Sequence, residues 1–393
     1  MNFKSNLKML LLSAVMAGMG WAEGMAQESF KPAWSNVPGC EYPQVSEGMS
    51  VRVRLKAPEA TKVEVAGGDG FCKEPLALTK DTEGYWSGVV TQVTPGFHYY
   101  WFLVDGVQVN DPSSVTYWGY GHPTSGVYAP TPGEDFYACK QVPHGQVREH
   151  WYFSEVTGKW RRAYVYTPAG YDTDTQTKYP ILYLLHGAGE NERGWSLQGR
   201  MNFILDNLIA EGKAVPMIVV MDNGQAVAKG DSTQPDMSRE GLTKRTETLE
   251  QVYLKDILPT FESYYRVKPG RENRAIAGLS MGGFQTFQIG LNHTELFSYY
   301  GAFSAALIGG VMDNPSTAFN GAFADAAKFN REVKLFWFGV GSEEKMFVDM
   351  VTDARKKLSD LGIRTSYYQS ENTYHEWHTW SRCLHEFAPL LFK

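Results

Sequence analysis

The sequence predicts an α/β domain with a parallel sheet, preceded by a small β-sandwich. From about residue 142, apolar runs such as YPILYLLHG and PMIVVMDNG alternate with stretches of helical spacing. Such runs are typical of parallel strands that helices cover on both faces. Before residue 128 the runs alternate apolar and polar residues, and turn signals recur at short intervals. With 393 residues, the chain is long enough for two domains.

The sandwich is predicted over residues 27–130. VRVRL places Val51, Val53 and Leu55 on one face by strict alternation, and GFHYYWFLVDG predicts a long strand that ends in a turn. No amphipathic helix is visible in this part. The Pro/Gly-rich stretch that follows predicts a linker at 131–141.

The α/β domain is predicted over residues 142–393. MNFILDNLIAEG and LEQVYLKDILPTFESYY have helical spacing, KLFWFGVG and RTSYYQS predict late strands, and WSRCLHEFAPLLF predicts the last helix. Between Asp222 and Thr248 the chain is polar and Gly-rich, with little periodicity. This predicts a long loop at the carboxyl edge of the sheet. Since such folds place their active sites at this edge, we expect the loop to border the substrate pocket.

The first 26 residues predict a signal peptide. Lys4 and Lys8 precede the apolar stretch MLLLSAVMAGMGWA, and small residues allow cleavage after Ala26. The alternative is an uncleaved anchor, but roughly 14 apolar residues are short for a span of about 20. We therefore expect a secreted or periplasmic protein with no membrane span once the signal is removed.

Charge and cysteine content limit the kinds of partner and ligand that the protein is expected to bind. The net charge is −6 and no Lys/Arg-rich run appears, which argues against nucleic acid. The four cysteines, Cys40, Cys72, Cys139 and Cys383, have no zinc-site spacing. They could pair in an oxidising compartment, and the sequence leaves that pairing open.

The motif GLSMG, Gly278 to Gly282, is the strongest chemical signal. RAIA before it predicts a strand and MGGFQTF after it a helix, the context in which a tight elbow exposes a nucleophilic serine. Ser280 is therefore the candidate nucleophile. Gly278 and Gly282 are expected because a Cβ at either position would collide with neighbouring backbone. The alternative is a Gly-rich turn with no catalytic role.

A serine nucleophile needs a base, usually a histidine late in the chain. His375 is predicted in the loop before the last helix, His378 near that helix's first turn and His385 in its body. We expect His375 to be the base, with His378 as the alternative. HEWH is one residue short of the zinc motif His-Glu-x-x-His, so no metal is expected.

Acyl transfer also needs backbone donors for the oxyanion. Met281 follows the nucleophile and is one expected donor. The loop HGAGENERGW supplies the other, with Ala188 expected after a sharp turn at Gly187. The polar residues that follow could orient the turn or line the pocket; they are Glu190, Asn191 and Glu192.

Together, LLHGAGENERGW, GLSMGGFQT and HEWHTWSRCLHEFAPLLF resemble the esterase D and carbohydrate esterase family 1 group, which includes feruloyl and acetyl xylan esterases. The resemblance covers essentially all of 142–393. It implies an α/β-hydrolase fold with Ser280 as nucleophile, His375 as base and Ala188 and Met281 as oxyanion donors. It implies no metal and no cofactor.

The third member of the catalytic triad, the acid that orients the histidine, departs from that family's pattern. Relatives often have Gly-x-Glu-Asp after the late strand, whereas this chain has GSEE, which puts Glu344 at the aspartate position. Glutamate is an accepted acid of this fold. Glu343 is the competitor, because a slip of one residue exchanges the two. The alternative is that both glutamates face solvent at a helix N-terminus and that the acid lies elsewhere.

The segment PGFHYYWFLVDGVQVNDP resembles immunoglobulin-like carbohydrate-binding modules of family 48. This implies a module that precedes glycan-active enzymes. The alternative is a structural spacer in which Trp86, Tyr99, Trp101 and Phe102 are core residues.

The resemblance implies a serine esterase that acts on acylated xylan-type polysaccharide. The motifs do not separate feruloyl from acetyl groups, although the aromatic content of 14% favours a phenolic acyl group. Two alternatives remain: an esterase of siderophores or other small esters, and a glycan-binding protein whose esterase site has decayed.

Overall fold

The computed structural model describes residues 28–232, 238–305 and 314–393. The predicted signal peptide at 1–26 lies outside the described residues. Among the described helices, none is long and apolar enough to cross a membrane.

Two antiparallel sheets fill the N-terminal part of the chain. One has the order β1-β2-β3-β7-β6, and the other has the order β10-β11-β8-β4-β5, with β9 added to β8. Val51 and Val53 from the first sheet and Val63, Val65 and Phe102 from the second share one buried core. The strands in chain order are β1 (Phe30–Pro32), β2 (Gln44–Ser46), β3 (Val51–Lys56), β4 (Val63–Gly67), β5 (Leu76–Ala77), β6 (Thr79–Lys80), β7 (Tyr85–Val90), β8 (Gly96–Val104), β9 (Val107–Val109), β10 (Tyr117–Gly119) and β11 (His122–Ala129).

The second part is built on an eight-stranded sheet of order β12-β13-β15-β14-β16-β17-β18-β19. The five pairs from β14–β15 to β18–β19 are parallel, as predicted. The pairs β12–β13 and β13–β15 are antiparallel, which the prediction of a parallel sheet did not include. These strands are β12 (Gln146–Ser154), β13 (Lys159–Thr167), β14 (Ile181–Leu185), β15 (Ile218–Asp222), β16 (Arg274–Leu279), β17 (Tyr299–Phe303), β18 (Leu335–Gly341) and β19 (Ser366–Ser370).

Helices cover both faces of this sheet. One core lies under α3, α4, α5 and α8, and the other under α2 and α9. The helices are α1 (Gly194–Leu197), α2 (Met201–Ala210), α3 (Arg239–Val252), α4 (Leu258–Tyr264), α5 (Met281–Asn292), α6 (Ala318–Gly321), α7 (Ala326–Glu332), α8 (Lys345–Asp360) and α9 (Trp377–Phe387). A π-helical turn (Tyr253–Ile257) joins α3 to α4, and 3₁₀ turns occur at Arg271–Asn273 and Ala388–Leu390.

The predicted loop between Asp222 and Thr248 is wrong in its second half, because α3 begins at Arg239. Ser238 caps this helix and accepts a hydrogen bond from the Gly241 N–H at 3.2 Å. Gly241 and Thr246 occupy buried positions on the helix. Since neither is a large apolar residue, hydrophobic spacing could not reveal the helix.

The two parts share a core. Phe97, Tyr99, Tyr117 and Tyr128 of the sandwich pack with the residues beneath α2 and α9. Of the four aromatic residues expected to be core, Trp86, Tyr99 and Phe102 are buried and Trp101 is partly buried.

The segment 131–141 contains no helix or strand, yet it is bound to the second part. Asn207 Nδ2 donates to the carbonyls of Phe136 at 2.8 Å and Ala138 at 3.0 Å. Arg200 Nε donates to the Tyr137 carbonyl at 2.8 Å. The segment that connects the two parts is therefore held against the second part by hydrogen bonds to its backbone.

Candidate active site

Ser280 stands alone between β16, which ends at Leu279, and α5, which begins at Met281. Its backbone has φ 51° and ψ −114°, a conformation that L-residues rarely adopt and that is found at functional turns. The Ser280 N–H donates to the Phe303 carbonyl at 2.8 Å and so fastens the turn to β17. This is the geometry of the predicted elbow.

The two glycines of the elbow are required by contact, as predicted. A Cβ on Gly282 would lie 2.6 Å from the His186 carbonyl oxygen and 2.7 Å from that of Leu185. A Cβ on Gly278 would overlap the Gly282 backbone. Backbone atoms on both sides prevent relief by side-chain movement, so the expectation for both glycines is confirmed.

His375 lies between Ser280 and Glu344. Its Nε2 is 3.0 Å from Ser280 Oγ, and its Nδ1 is 2.5 Å from Glu344 Oε1. The carboxylate accepts from Nδ1–H, which leaves Nε2 free to accept the hydroxyl proton. Phe347 stacks on the imidazole with ring centroids 4.5 Å apart and planes 14° apart, and Trp380 meets it edge-on at 5.0 Å.

Glu344 is only 6% exposed, and its second oxygen is also bonded. Oε2 accepts from Ser304 Oγ at 2.7 Å and from the Gly341 N–H. Trp380 Nε1 in turn donates to Ser304 Oγ at 3.1 Å. A buried carboxylate needs such partners to remain in place, so this cluster fixes the acid that faces His375.

The alternative residues lie elsewhere. Glu343 is exposed and accepts from Ser342 Oγ at 3.2 Å. His378 is buried against the sandwich, where burial lowers its pKa to about 3, and a Cβ on Gly96 would lie 2.7 Å from the His378 Cβ. His385 Nδ1 is 2.9 Å from Glu386 Oε1. These contacts of Glu343, His378 and His385 do not include Ser280.

Of the two expected oxyanion donors, Met281 follows Ser280 in the chain and Ala188 lines the same cavity as Ser280. Met281 is the first residue of α5, so its N–H has no carbonyl partner within the helix. Ala188 lines the same cavity as Ser280 and follows Gly187 in the turn after β14. His186 holds this turn, because its Nδ1 donates to the Gly187 carbonyl and its Nε2 accepts from the Gly224 N–H at 2.9 Å.

The polar residues of the same loop are tied into the surrounding structure. Glu192 forms an ion pair with Arg162 at 2.6 Å and accepts from Asn223 Nδ2 at 2.9 Å. Asn191 Oδ1 accepts from the Arg193 N–H at 3.0 Å. These contacts orient the loop, and all of these residues line the polar groove beside it.

Glu190 is buried at the junction of the two parts of the chain. Its Oε1 accepts from Tyr99 Oη at 2.7 Å and from Trp377 Nε1 at 3.2 Å, and Gln198 Nε2 lies 3.4 Å from Oε2. Burial raises the pKa of Glu190 to about 8. The shift favours the neutral carboxyl near pH 7.

Glu376, beside the candidate base, is also buried at this junction. It accepts from Thr94 Oγ1 of the sandwich at 3.0 Å, and burial raises its pKa to about 8. His98 Nδ1 lies 3.6 Å away, with a pKa lowered by burial to about 4. The sandwich therefore contacts the residue next to His375 through buried polar groups, and burial favours the neutral form of both ionisable side chains.

Two cavities adjoin at the site. A small one of about 200 Å³ is lined by Ser280, His375, Trp377, Trp380 and Leu279, together with sandwich residues. A larger polar groove of about 1110 Å³ lies next to it and includes residues of α3. Tyr120 and Glu190 line both cavities.

Sequence reasoning missed Ser304, Trp380 and the sandwich residues of the small cavity. Ser304 directly follows β17, whose sequence is YYGAF, and its place at the carboxyl end of a buried strand is a usable signal. Tyr99 and Tyr120 carry no such signal, since they reach the site from the other part of the chain.

The four cysteines, all of which lie in the described ranges, are free thiols there. Cys40 and Cys72 are partly buried, Cys139 is exposed and Cys383 is buried.

The fold and the hydrogen-bonded Ser280–His375–Glu344 set define a protein of α/β-hydrolase type. A family model described as "Putative esterase" matches residues 154–390, so the chain belongs to this esterase family. This match confirms the resemblance of residues 142–393 to the esterase group and the enzyme class of carboxylic ester hydrolase. The resemblance of the sandwich to family 48 modules stays a prediction.

A curated relative from Xylanibacter ruminicola, named endo-1,4-beta-xylanase/feruloyl esterase, is 36% identical over 398 residues. The match covers 100% of this chain and 51% of the relative, so the chain spans about half of that protein. Endo-1,4-beta-xylanase Y of Acetivibrio thermocellus is 28% identical over 184 residues, which cover 44% of this chain and 15% of the relative.

Solved structures agree in fold. A ferulic acid esterase of carbohydrate esterase family 1 from Anaeromyces mucronatus has a TM-score of 0.56 and 26% identity, over 66% of this chain and 96% of that one. The enterobactin esterase of Shigella flexneri has a TM-score of 0.62 over 86% of this chain and 92% of that one. At 15% identity, the second likeness concerns the fold alone.

Proposed function

We propose that this protein is a serine esterase that removes feruloyl groups from xylan-type polysaccharide. The observation that carries the proposal is the hydrogen-bonded series from Ser280 Oγ through His375 to Glu344 beside a cavity rich in aromatic side chains. The curated relative of 36% identity, with feruloyl esterase in its name, supports the same substrate class.

In the first half of the reaction, Ser280 Oγ attacks the ester carbonyl and its proton passes to His375 Nε2. Glu344 stabilises the imidazolium through Nδ1–H. The N–H groups of Ala188 and Met281 donate to the oxyanion as the tetrahedral intermediate forms. The intermediate collapses when the C–O bond to the sugar breaks, and the sugar oxygen takes the proton from Nε2.

In the second half, water attacks the Ser280 acyl ester and gives a proton to His375 Nε2. The second tetrahedral intermediate breaks its bond to Ser280 Oγ, which recovers that proton. The products are the free acid and the unmodified sugar hydroxyl, and no redox partner is needed. The polar groove next to the small cavity offers a place for the polysaccharide on the alcohol side of the ester.

Product analysis tests this function. The full chain is incubated with feruloylated arabinoxylan and with acetylated xylan, and the acids released are identified by mass spectrometry. We expect ferulic acid from the first substrate and a loss of about a thousandfold or more in Ser280→Ala. Acetic acid alone would identify an acetyl xylan esterase. Release from small esters alone would identify a small-ester esterase, and an inactive wild type would indicate a decayed site.

We also propose export, which rests on the sequence pattern of residues 1–26. The N-terminal sequence of the protein recovered from the producing cells tests this directly. Cleavage after Ala26 is expected, and an intact Met1 would contradict it.

A further inference from the structure

The cavity beside Ser280 is formed by both parts of the chain. Its sandwich side consists of Gly68, Asp69, Phe97, His98, Tyr99 and Tyr120, and its other side includes Ser280 and His375. Tyr99 is held there because its hydroxyl donates at 2.7 Å to Glu190, in the loop that carries Ala188. Any group that fills this cavity must therefore touch the sandwich.

The hairpin β10–β11 brings Tyr120 to this place and is firmly attached. The Gly121 N–H donates to the Gly189 carbonyl at 2.9 Å, so the hairpin turn is bonded to the loop that carries Ala188. A Cβ on Gly189 would lie 3.1 Å from the Tyr120 Cα. Gln198 Nε2 donates to the Trp118 carbonyl at 3.0 Å. The hairpin is thus fixed relative to the reacting serine.

Tyr120 stands between the two cavities. Its ring meets Tyr99 and Trp101 edge-on, with centroids 5.6 Å apart in both cases, and the residue remains 54% exposed. A ring fixed by its neighbours yet half open to a cavity is suited to contact another planar ring. Tyr120 lines the small cavity together with Ser280 and His375.

The size and lining of the small cavity favour an aromatic acyl group. Phe97, Leu279, Trp377 and Trp380 supply apolar walls, and the volume is about 200 Å³. A single water needs about 10–15 Å³ of such space, so a two-carbon acyl group would leave most of the cavity unfilled. Unfilled space next to apolar walls forfeits packing energy, whereas a ring would recover it.

We propose that Tyr120 is a specificity-determining residue that contacts the aromatic ring of the acyl group bound at Ser280. The sandwich is then part of the acyl site. This inference rests on the proposed esterase function and adds the residue that selects the acyl group.

The test compares esters that share one alcohol and differ in the acyl group. Hydrolysis of ethyl ferulate, ethyl butyrate and ethyl acetate is followed by pH-stat with the full chain. In Tyr120→Ala, we expect the ratio of kcat/KM for ferulate to that for acetate to fall at least about fivefold, mainly through KM, because a lost ring contact weakens binding of the ring. Tyr120→Phe should keep the wild-type ratio.

Two further variants make the result interpretable. Tyr120 has φ 56°, so Tyr120→Asn removes the ring with a residue that tolerates this backbone, and it should show the same selective loss. Tyr264→Ala removes a tyrosine that is 71% exposed on α4 and lines neither cavity, and its ratio should stay unchanged.

An equal loss on all three esters would overturn the inference, because Tyr120 would then act on the hairpin or on the reacting groups. An equal loss on ferulate and butyrate would overturn the assignment to an aromatic ring. An unchanged ratio in an active enzyme would overturn the inference and leave the esterase function standing. A wild type inactive on every ester would overturn both.

Discussion

Glu344 Oε1 lies 2.5 Å from His375 Nδ1, and the carboxylate is almost completely buried. Glu344 directly precedes α8, and its side chain reaches back to the backbone N–H of Gly341 at the end of β18. With Ser304 on the same oxygen, the longer glutamate side chain is held in one orientation. Although glutamate has one methylene more than aspartate, these hydrogen bonds keep its carboxylate facing His375.

Glu344→Gln should lower kcat by about a thousandfold or more while the protein stays folded. The amide has nearly the same shape but cannot stabilise the imidazolium, and its NH₂ group would favour the wrong histidine tautomer. Steady-state kinetics on ethyl ferulate, with circular dichroism as a check on the fold, measure the effect.

Glu343→Gln is the matched control for that substitution. The residue is adjacent in sequence but exposed, so its kcat should stay within about twofold of wild type. A larger loss in Glu343→Gln than in Glu344→Gln would show that the wrong acid has been assigned. Two unaffected variants would place the acid elsewhere.

Ser304→Ala should lower kcat about tenfold. Ser304 is a positioning residue that donates to the carboxylate of Glu344, and a hydrogen bond to a charged group contributes about 1.5–3 kcal/mol. Loss of this bond should also shift the pH profile of kcat/KM, since His375 depends on the acid it faces. A loss of packing alone would lower thermal stability without such a shift.

Ser298→Ala is the control for Ser304→Ala. Ser298 is a buried serine that directly precedes β17, at the strand end opposite to Ser304. Its substitution should leave both kcat and the pH profile unchanged. If the two serine variants behave alike, the positioning role of Ser304 is wrong.

Glu190→Gln should change how thermal stability depends on pH. The pKa of Glu190 is raised from an ordinary 4.5 to about 8 in the folded protein. Between these values the unfolded chain loses the proton and the folded chain keeps it, so the stability of wild type falls as pH rises. The glutamine does not ionise in either state, so Tm of the variant should fall less from pH 5 to 8.

The difference in Tm between Glu190→Gln and wild type should grow by several °C over that range, since about 1 kcal/mol corresponds to a few °C. Differential scanning calorimetry at four pH values measures it. The raised pKa of Glu376 is present in both proteins and cancels in the comparison. Parallel curves would contradict the assignment of a neutral buried carboxyl to Glu190.

The sequence by itself determined the elbow around Ser280, the parallel sheet and the histidine-bearing loop before the last helix. These features depend on residues within one strand, one turn or one helix, and their patterns are visible over short stretches. The sequence also narrowed the acid to two neighbouring glutamates, but it missed the first ten residues of α3, whose buried positions include Gly241 and Thr246.

Tertiary structure decided the rest. It buried Glu344 and exposed Glu343, placed Ser304 against the acid, and brought Tyr120 to a cavity shared with Ser280. Each of these relationships joins segments far apart in sequence or depends on the direction of a single side chain. Such contacts form only when distant segments pack together in the folded chain, so no local pattern of residues can specify them.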